Sequence, residues 1–88
     1  MIRLVYGKHF LKSASALPNS LKRKLALLLE SLSANPFNPL LHSKPLTGPL
    51  SGFFSFRITR DWRVMFQFLD ADTIQLIDVA HRKDIYRS

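Results

Sequence analysis

The chain has 88 residues, of which 47% are hydrophobic and 22% are charged, and its formal net charge is +7. A chain of this length forms one folding unit, so we expect a single domain over residues 1–88 with a small core and marginal stability. The composition excludes a disordered or fibrous chain, and the lack of cysteine excludes disulfide bonds and thiolate metal sites.

Basic residues outnumber acidic ones along the whole chain, with 13 Lys and Arg against 6 Asp and Glu. Such an excess attracts polyanions, so nucleic acid is the leading class of partner, ahead of an acidic protein or an anionic membrane. The N-terminus carries no apolar signal segment, and no apolar run is long enough to span a bilayer. We therefore expect a cytoplasmic protein that needs no membrane, metal or cofactor.

The first half of the chain predicts one strand and two helices. Apolar residues alternate over residues 2–6, and Gly7 closes this strand. A first helix is expected over residues 8–17, and a second helix is expected to begin with Pro18 at its first position and to stop at Asn35. One face of the second helix is apolar and consists of Leu21, Leu25, Leu28 and Leu32.

A long connection follows. Residues 36–52 are rich in proline and glycine, which predicts an ordered connection without a helix or strand. Connections of this length are often functional, and His42 and Lys44 lie within this one. With no partner visible in the sequence, His42 is expected to be an ordinary surface histidine.

Alternating apolar residues then predict three consecutive antiparallel strands. Three-residue turns at 59–61 and 70–72 bring the apolar faces of all three strands onto one side of a sheet, which the two helices should cover. Trp62 falls on this apolar face, so we expect it in the core. The register predicts the pairs Phe54 with Phe66, Phe56 with Val64, Ile58 with Trp62, Phe66 with Leu76, Phe68 with Ile74 and Arg63 with Val79.

The opposite face of these strands collects charged residues. On the same register Arg57 stands directly across from Arg63, and His81 reaches that face opposite Asp61. Like charges that face each other across a sheet are destabilising, so their presence here indicates a site for an anion. Asp78 falls within the apolar series, and the alternation does not account for it.

Several segments resemble the RelE/ParE superfamily of bacterial toxins, most closely its RelE, YoeB and YafQ branches. The resemblance covers nearly the whole chain and implies an α+β fold, with an N-terminal strand and two helices packed on an antiparallel sheet that ends in three consecutive strands. The segments that carry it are Leu-Ser-Gly-Phe at 50–53, Arg-Ile-Thr-x-x-x-Arg at 57–63 and His-Arg-x-x-x-Tyr at 81–86.

Members of these branches cleave messenger RNA in the ribosomal A site, where the 2′-hydroxyl attacks the adjacent phosphate. The resemblance therefore implies an endoribonuclease toxin that acts on mRNA and the ribosome and forms a hetero-oligomer with a cognate antitoxin. Two alternatives stay open on the same fold: a ParE-like inhibitor of DNA gyrase and a non-catalytic RNA-binding module.

The resemblance also implies catalytic roles for five residues. Arg63 matches the arginine that stabilises the phosphate, and Arg57 matches a basic position that shares this task. His81 matches a histidine of the YafQ branch, and histidine is suited to act as acid or base near neutral pH. Asp61 matches an acidic turn residue that orients a histidine or acts as base, and Tyr86 matches a C-terminal aromatic that stacks on or orients the substrate.

Four further basic residues are expected to bind RNA. Lys44 stands where the YoeB branch has a glutamate as general base, so the mechanism of that branch does not transfer whole. Arg60, Arg82 and Lys83 are expected to hold phosphates, which contributes affinity without selecting a base sequence.

Overall fold

The computed structural model describes residues 1–85, in which two helices pack on a five-stranded sheet. The sheet order is β1-β5-β4-β3-β2, with β1 parallel to β5 and every other pair of neighbours antiparallel. The α+β prediction is confirmed, and the sheet is mixed because the first strand pairs with the last. The elements are β1 (Arg3–Tyr6), α1 (Lys8–Ser15), α2 (Asn19–Ala34), β2 (Lys44–Pro45), β3 (Phe54–Arg57), β4 (Trp62–Asp70) and β5 (Thr73–His81).

The helices begin and end close to the predicted positions. Pro18 lies just before α2 instead of at its first helical position, and its carbonyl accepts the N–H groups of Leu21 and Lys22. The helix ends at Ala34, and the backbone of the next residue, Asn35, is extended because a proline follows it. No helix in the described part of the chain is long and apolar enough to cross a membrane.

One apolar core joins the helices to the sheet. On α2, Leu25 and Leu32 are buried and Leu21 and Leu28 pack against the same core, which confirms the predicted apolar face. Trp62 is half-buried and also packs there, as predicted. The buried members of the cluster are Phe10, Leu17, Leu25, Leu32, Leu41, Phe56, Ile58, Val64, Phe66, Ile74, Leu76 and Val79.

The connection between α2 and β3 contains structure that the sequence did not predict. Pro39–Leu41 form a turn of 3-10 helix, and the side chain of Asn38 caps it by accepting the N–H of Leu40 at 3.0 Å. The two-residue strand β2 then pairs with β3 at the edge of the sheet. The prediction of a connection without strand or helix is therefore wrong, because contacts with β3 order a segment that has little propensity of its own.

The predicted register of β3 against β4 is confirmed throughout its length. Phe56 pairs with Val64, and Arg57 pairs with Arg63. The pair of Phe66 with Leu76 in β4 and β5 is confirmed as well. The second turn is shorter than predicted because Leu69 takes no partner and the next residue pairs with Thr73.

A β-bulge at Ile77 shifts the register in the second half of β5. Phe66 pairs with Leu76 but Met65 pairs with Asp78, so β5 carries one extra residue at this point. The predicted pair of Arg63 with Val79 is therefore wrong. The observed pairs in this part of the sheet are Val64 with Val79, Arg63 with Ala80 and Trp62 with His81.

The bulge also explains the position of Asp78. It turns Asp78 away from the apolar series and restores Val79 to the core. The carboxylate accepts a hydrogen bond of 2.7 Å from Ser13 Oγ and lies 3.2 Å from His9 Nε2, both on α1. The acid that did not fit the alternation therefore anchors the first helix to β5.

The junction between β1 and α1 depends on a glycine. The N–H of Gly7 donates to the carbonyl of Leu76 at 3.0 Å, and a Cβ at position 7 would lie 2.6 Å from that oxygen. We expect Gly7→Ala to lower the free energy of unfolding by about 1–3 kcal/mol, since the backbone must move to relieve the contact. Urea unfolding measures this.

The control for this prediction is Ser20→Ala at an exposed position early in α2, where we expect a change within about 0.5 kcal/mol. An equal stability of Gly7→Ala and the wild type would mean that the close approach of residue 7 to β5 is not a constraint on the fold.

Candidate functional site

The centre of the site is a pair of arginines. Arg57 at the end of β3 and Arg63 near the start of β4 face each other across the sheet. Arg63 is only 8% exposed and Arg57 is half-buried. The Nε atom of each is buried and has no hydrogen-bond partner in the described part of the chain. Buried cations of this kind are costly unless an anion accompanies them.

No carboxylate offsets this charge within residues 1–85. Neither arginine forms an ion pair there, and Arg63 Nη2 donates a long hydrogen bond of 3.4 Å to the carbonyl of Arg60. Lys44 pairs with Ser55, two residues before Arg57, and adds a third cation to the same face of the sheet. This face is therefore suited to bind a phosphate or another anion.

His81 does not lie where the sequence predicted. The bulge places it opposite Trp62, on the face of the helices, and the two ring centres are 5.7 Å apart. The prediction that it shares the face of Arg57 and Arg63 is wrong, because one extra residue in a strand exchanges its two faces. The N–H of Lys83 donates to His81 Nδ1 at 3.3 Å, so Nε2 carries the proton of the neutral ring.

Asp61 is paired with an arginine and not with a histidine. Its carboxylate lies 3.5 Å from Arg82 Nε, and its carbonyl accepts the N–H of Arg82 at 2.6 Å. Both side chains are about half exposed, so the ion pair contributes little stability, and the backbone bond holds the two segments together. The structure therefore joins the β3–β4 turn to the residues after β5.

The remaining predicted residues occupy different positions around the arginine pair. Arg60 is exposed in the β3–β4 turn, and Lys83 is exposed in the turn after β5. Tyr86 lies outside the described residues. Among residues 1–85, no cluster of three or more His, Cys, Asp or Glu side chains could hold a metal ion.

Sequence reasoning missed a cleft of about 200 Å³ beside the arginine pair. It lies between α2, the connection and the end of β3. Its polar lining consists of Lys24, His42, Arg57, Thr59 and Arg60. The sequence held one signal, the isolated histidine in a long connection, but nothing in the pattern indicated that α2 and the β3–β4 turn meet there.

The sequence matches the model of a known protein family. Residues 5–86 match the model of the ParE toxin of the type II toxin–antitoxin system parDE. A search of curated proteins found no match.

Solved structures share this fold at low sequence identity. YafQ from Escherichia coli is 18% identical with a TM-score of 0.79, and the match covers 98% of this chain and 99% of that one. A YoeB/ParE toxin from Agrobacterium tumefaciens is 20% identical with a TM-score of 0.77, covering 91% and 98% of the two chains.

The RelB–RelE antitoxin–toxin complex from Methanococcus jannaschii contains a further similar chain. It is 25% identical with a TM-score of 0.75, and the match covers 93% of this chain and 94% of that one. These comparisons confirm the resemblance that the sequence motifs carried. Since the family model spans nearly the whole sequence, the chain belongs to the ParE toxin family of type II toxin–antitoxin systems, within the RelE/ParE superfamily.

Proposed function

We propose that this toxin is an endoribonuclease that cleaves mRNA in the A site of the ribosome. The observation that carries the proposal is the pair Arg57 and Arg63, whose buried Nε atoms lack partners in the described residues. A planar guanidinium donates paired hydrogen bonds that match the oxygens of a phosphate. Two guanidinium groups that face each other are suited to bind a phosphate whose negative charge increases during the reaction.

In the proposed reaction the 2′ oxygen attacks phosphorus and the bond from phosphorus to the 5′ oxygen breaks. The products are a 2′,3′-cyclic phosphate and a 5′-hydroxyl, so one proton leaves the 2′-hydroxyl and one reaches the 5′ oxygen. Arg57 and Arg63 stabilise the phosphorane, whose negative charge exceeds that of the substrate. Removing one donor from the oxyanion hole of a protease costs about 10²–10³ in rate, and we expect a loss of similar size here.

The proton transfers need further groups. Because the bulge places His81 on the face opposite the arginine pair, we assign the proton for the 5′ oxygen to a group of the ribosome or to water held in the A site. Asp61 is held by Arg82, so it orients that arginine towards RNA more readily than it acts as base. The ribosome contributes the alignment of the 2′-hydroxyl, and positioning alone lowers barriers by several kcal/mol, about 7–11 in the best cases.

One observation favours a second candidate function. Within residues 1–85, the face that carries Arg57 and Arg63 holds no histidine at the end of the sheet, because the bulge moves His81 to the other face. A ParE-like inhibitor of DNA gyrase needs no acid or base. The family model that matches the chain also carries the ParE name.

A cognate antitoxin completes the proposed function. One of the similar structures is a toxin in complex with its antitoxin, which supports a partner of this class for the present chain. The net charge of +7 and the unpaired arginines would be offset by an acidic segment that folds over the toxin. The two proteins would then form a hetero-oligomer in the cytoplasm.

The first prediction concerns the dependence on ribosomes. We expect wild-type protein to cleave mRNA in a translating extract, and to cleave the same RNA poorly when ribosomes are absent, since the chain depends on them for alignment. Primer extension maps the cuts, and a supercoiling assay with DNA gyrase runs beside it. Equal cleavage with and without ribosomes contradicts the proposal, and inhibition of gyrase without cleavage selects the second candidate.

The second prediction separates catalysis from stability at Arg63. We expect Arg63→Met to melt at or above the wild-type temperature, because a buried unpaired cation is replaced by an apolar chain of similar length. Ribosome-dependent cleavage should fall by about 10²–10³. Thermal melts and single-turnover cleavage measure the two effects.

Arg3→Met, an exposed arginine on β1, is the matched control and should change neither quantity. If Arg63→Met unfolds, or remains fully active, the arginine pair is not the phosphate site.

The third prediction tests anion binding at the pair without any RNA. Sulfate at ten times its dissociation constant should stabilise the wild type by about 1.4 kcal/mol, since it binds only the folded state. Arg63→Met should show a smaller effect, because it keeps only the cations that line the cleft beside the pair. Sodium chloride at equal ionic strength corrects for screening, and an equal sulfate response of both proteins would locate the anion elsewhere.

A further inference from the structure

We propose that the cleft beside the arginine pair is a second phosphate site, which binds an RNA backbone phosphate next to the scissile one. The inference rests on the proposed function, because it takes the scissile phosphate to lie between Arg57 and Arg63. Arg57 lines the cleft and is also paired with Arg63, so the cleft adjoins the arginine pair at the end of β3.

The cleft exists because β2 is too short to cover β3. The carbonyl of Phe53 accepts the N–H of Leu46 at 2.9 Å, whereas the N–H of Ile58 donates to Trp62 on β4 at 2.9 Å. Backbone groups alternate in direction along a strand, so those of Arg57 point towards the side of β2. In the described part of the chain, β2 pairs with β3 only as far as Ser55, which leaves the edge at Arg57 uncovered.

Charge makes the cleft a site for an anion. Lys24 from α2, Arg57 from β3 and Arg60 from the turn reach it from three separate elements, and no acidic residue lines it. None of the three forms an ion pair within residues 1–85. Lys24 and Arg60 therefore supply the charge of this second site, while Arg57 Nε is left for the scissile phosphate.

His42 is fixed at the rim of this cleft. Its backbone is left-handed, with φ 51°, a conformation that residues other than glycine adopt only where their surroundings hold them. Its neighbours hold it, because Leu41 is fully buried and Ser43 Oγ donates to the carbonyl of Pro36 at 2.7 Å. His42 lines the cleft and can donate to a phosphate oxygen.

The occupant is RNA rather than a single free anion because the cleft adjoins the arginine pair. A polymer with a phosphate at every nucleotide can fill both sites at once, and the second contact adds to the affinity of the first. The apolar residues Leu28, Leu40 and Ile58 complete the lining, and a ribose can lie against them. Binding at this second site would position the strand and would not select a base.

The test measures the binding of an RNA oligonucleotide made uncleavable by 2′-O-methyl groups. Fluorescence anisotropy at salt concentrations from about 50 to 200 mM gives the affinity and its salt dependence. We expect Lys24→Ala to weaken binding by about three- to tenfold, as the loss of one ordinary hydrogen bond does. The slope of log affinity against log salt should fall by about 0.7, the value for one phosphate on a single strand.

Lys22→Ala is the matched control. This lysine lies on the same helix two residues earlier but lines the groove between α1 and α2, so its removal should leave affinity and slope unchanged. Thermal melts establish that both variants fold. If Lys24→Ala binds the oligonucleotide as tightly as Lys22→Ala does, with the same salt slope, the cleft is not an RNA site.

A second measurement uses inorganic phosphate and needs no RNA. In NMR titrations we expect saturable shifts at the amides of Lys24, His42 and Thr59, retained in Arg63→Met because that variant leaves the cleft intact. Absence of these shifts overturns the proposal. If Lys24→Ala weakens the binding of an oligoglutamate peptide and leaves the binding of the oligonucleotide unchanged, the occupant is an acidic protein segment and the RNA assignment fails.

These readouts are independent of the cleavage assay. A wild type that binds the oligonucleotide through Lys24 but cleaves no mRNA would retain the second phosphate site and refute the endoribonuclease proposal alone. A wild type that cleaves in the A site with no contribution from Lys24 to binding would retain the endoribonuclease and refute the second site alone.

Discussion

The pairing of β3 with β4 is the constraint on which both the core and the site depend. Phe56 and Val64 are opposite each other and fully buried, and burying such a side chain contributes about 1.5–3 kcal/mol. The next pair along the ladder is Arg57 with Arg63, whose repulsion costs up to about 1 kcal/mol. Burial exceeds repulsion, so the register that forms the core forces two cations together. The same register turns them away from the helices.

The cost of this arrangement accounts for the chemistry of the site. Arg63 is almost completely buried, and the Nε atoms of both arginines lack partners in the described residues. A small domain has little stability in reserve. A negatively charged group that binds the folded state therefore has two effects: it neutralises the buried cations and it stabilises the fold. The phosphate of an RNA and the carboxylates of an acidic antitoxin have this property in common.

The site is assembled from the irregular parts of the fold rather than from its regular strands. The bulge at Ile77 decides which face His81 occupies, and the short strand β2 leaves the end of β3 open. The turn after β3 and the segment after β5 are joined through Asp61 and Arg82. Such features vary between proteins without changing the core, which is a physical reason why one fold accommodates different activities. Function in this family therefore has to be argued from the residues at these edges.

By itself the sequence determined the two helices, the apolar face of α2, the core position of Trp62 and the meeting of Arg57 with Arg63. Each of these follows from local periodicity, since a side-chain period and a turn length specify which residues share a face. Only the tertiary structure decided the parallel pairing of β1 with β5, the strand β2 and the cleft at Lys24, because these join segments distant in sequence. The bulge lies between the two cases. In the sequence, the only sign of the bulge was an acidic residue, Asp78, within an apolar series. That sign fits either an extra residue in β5 or a buried acid, and the partners that α1 supplies decided between them.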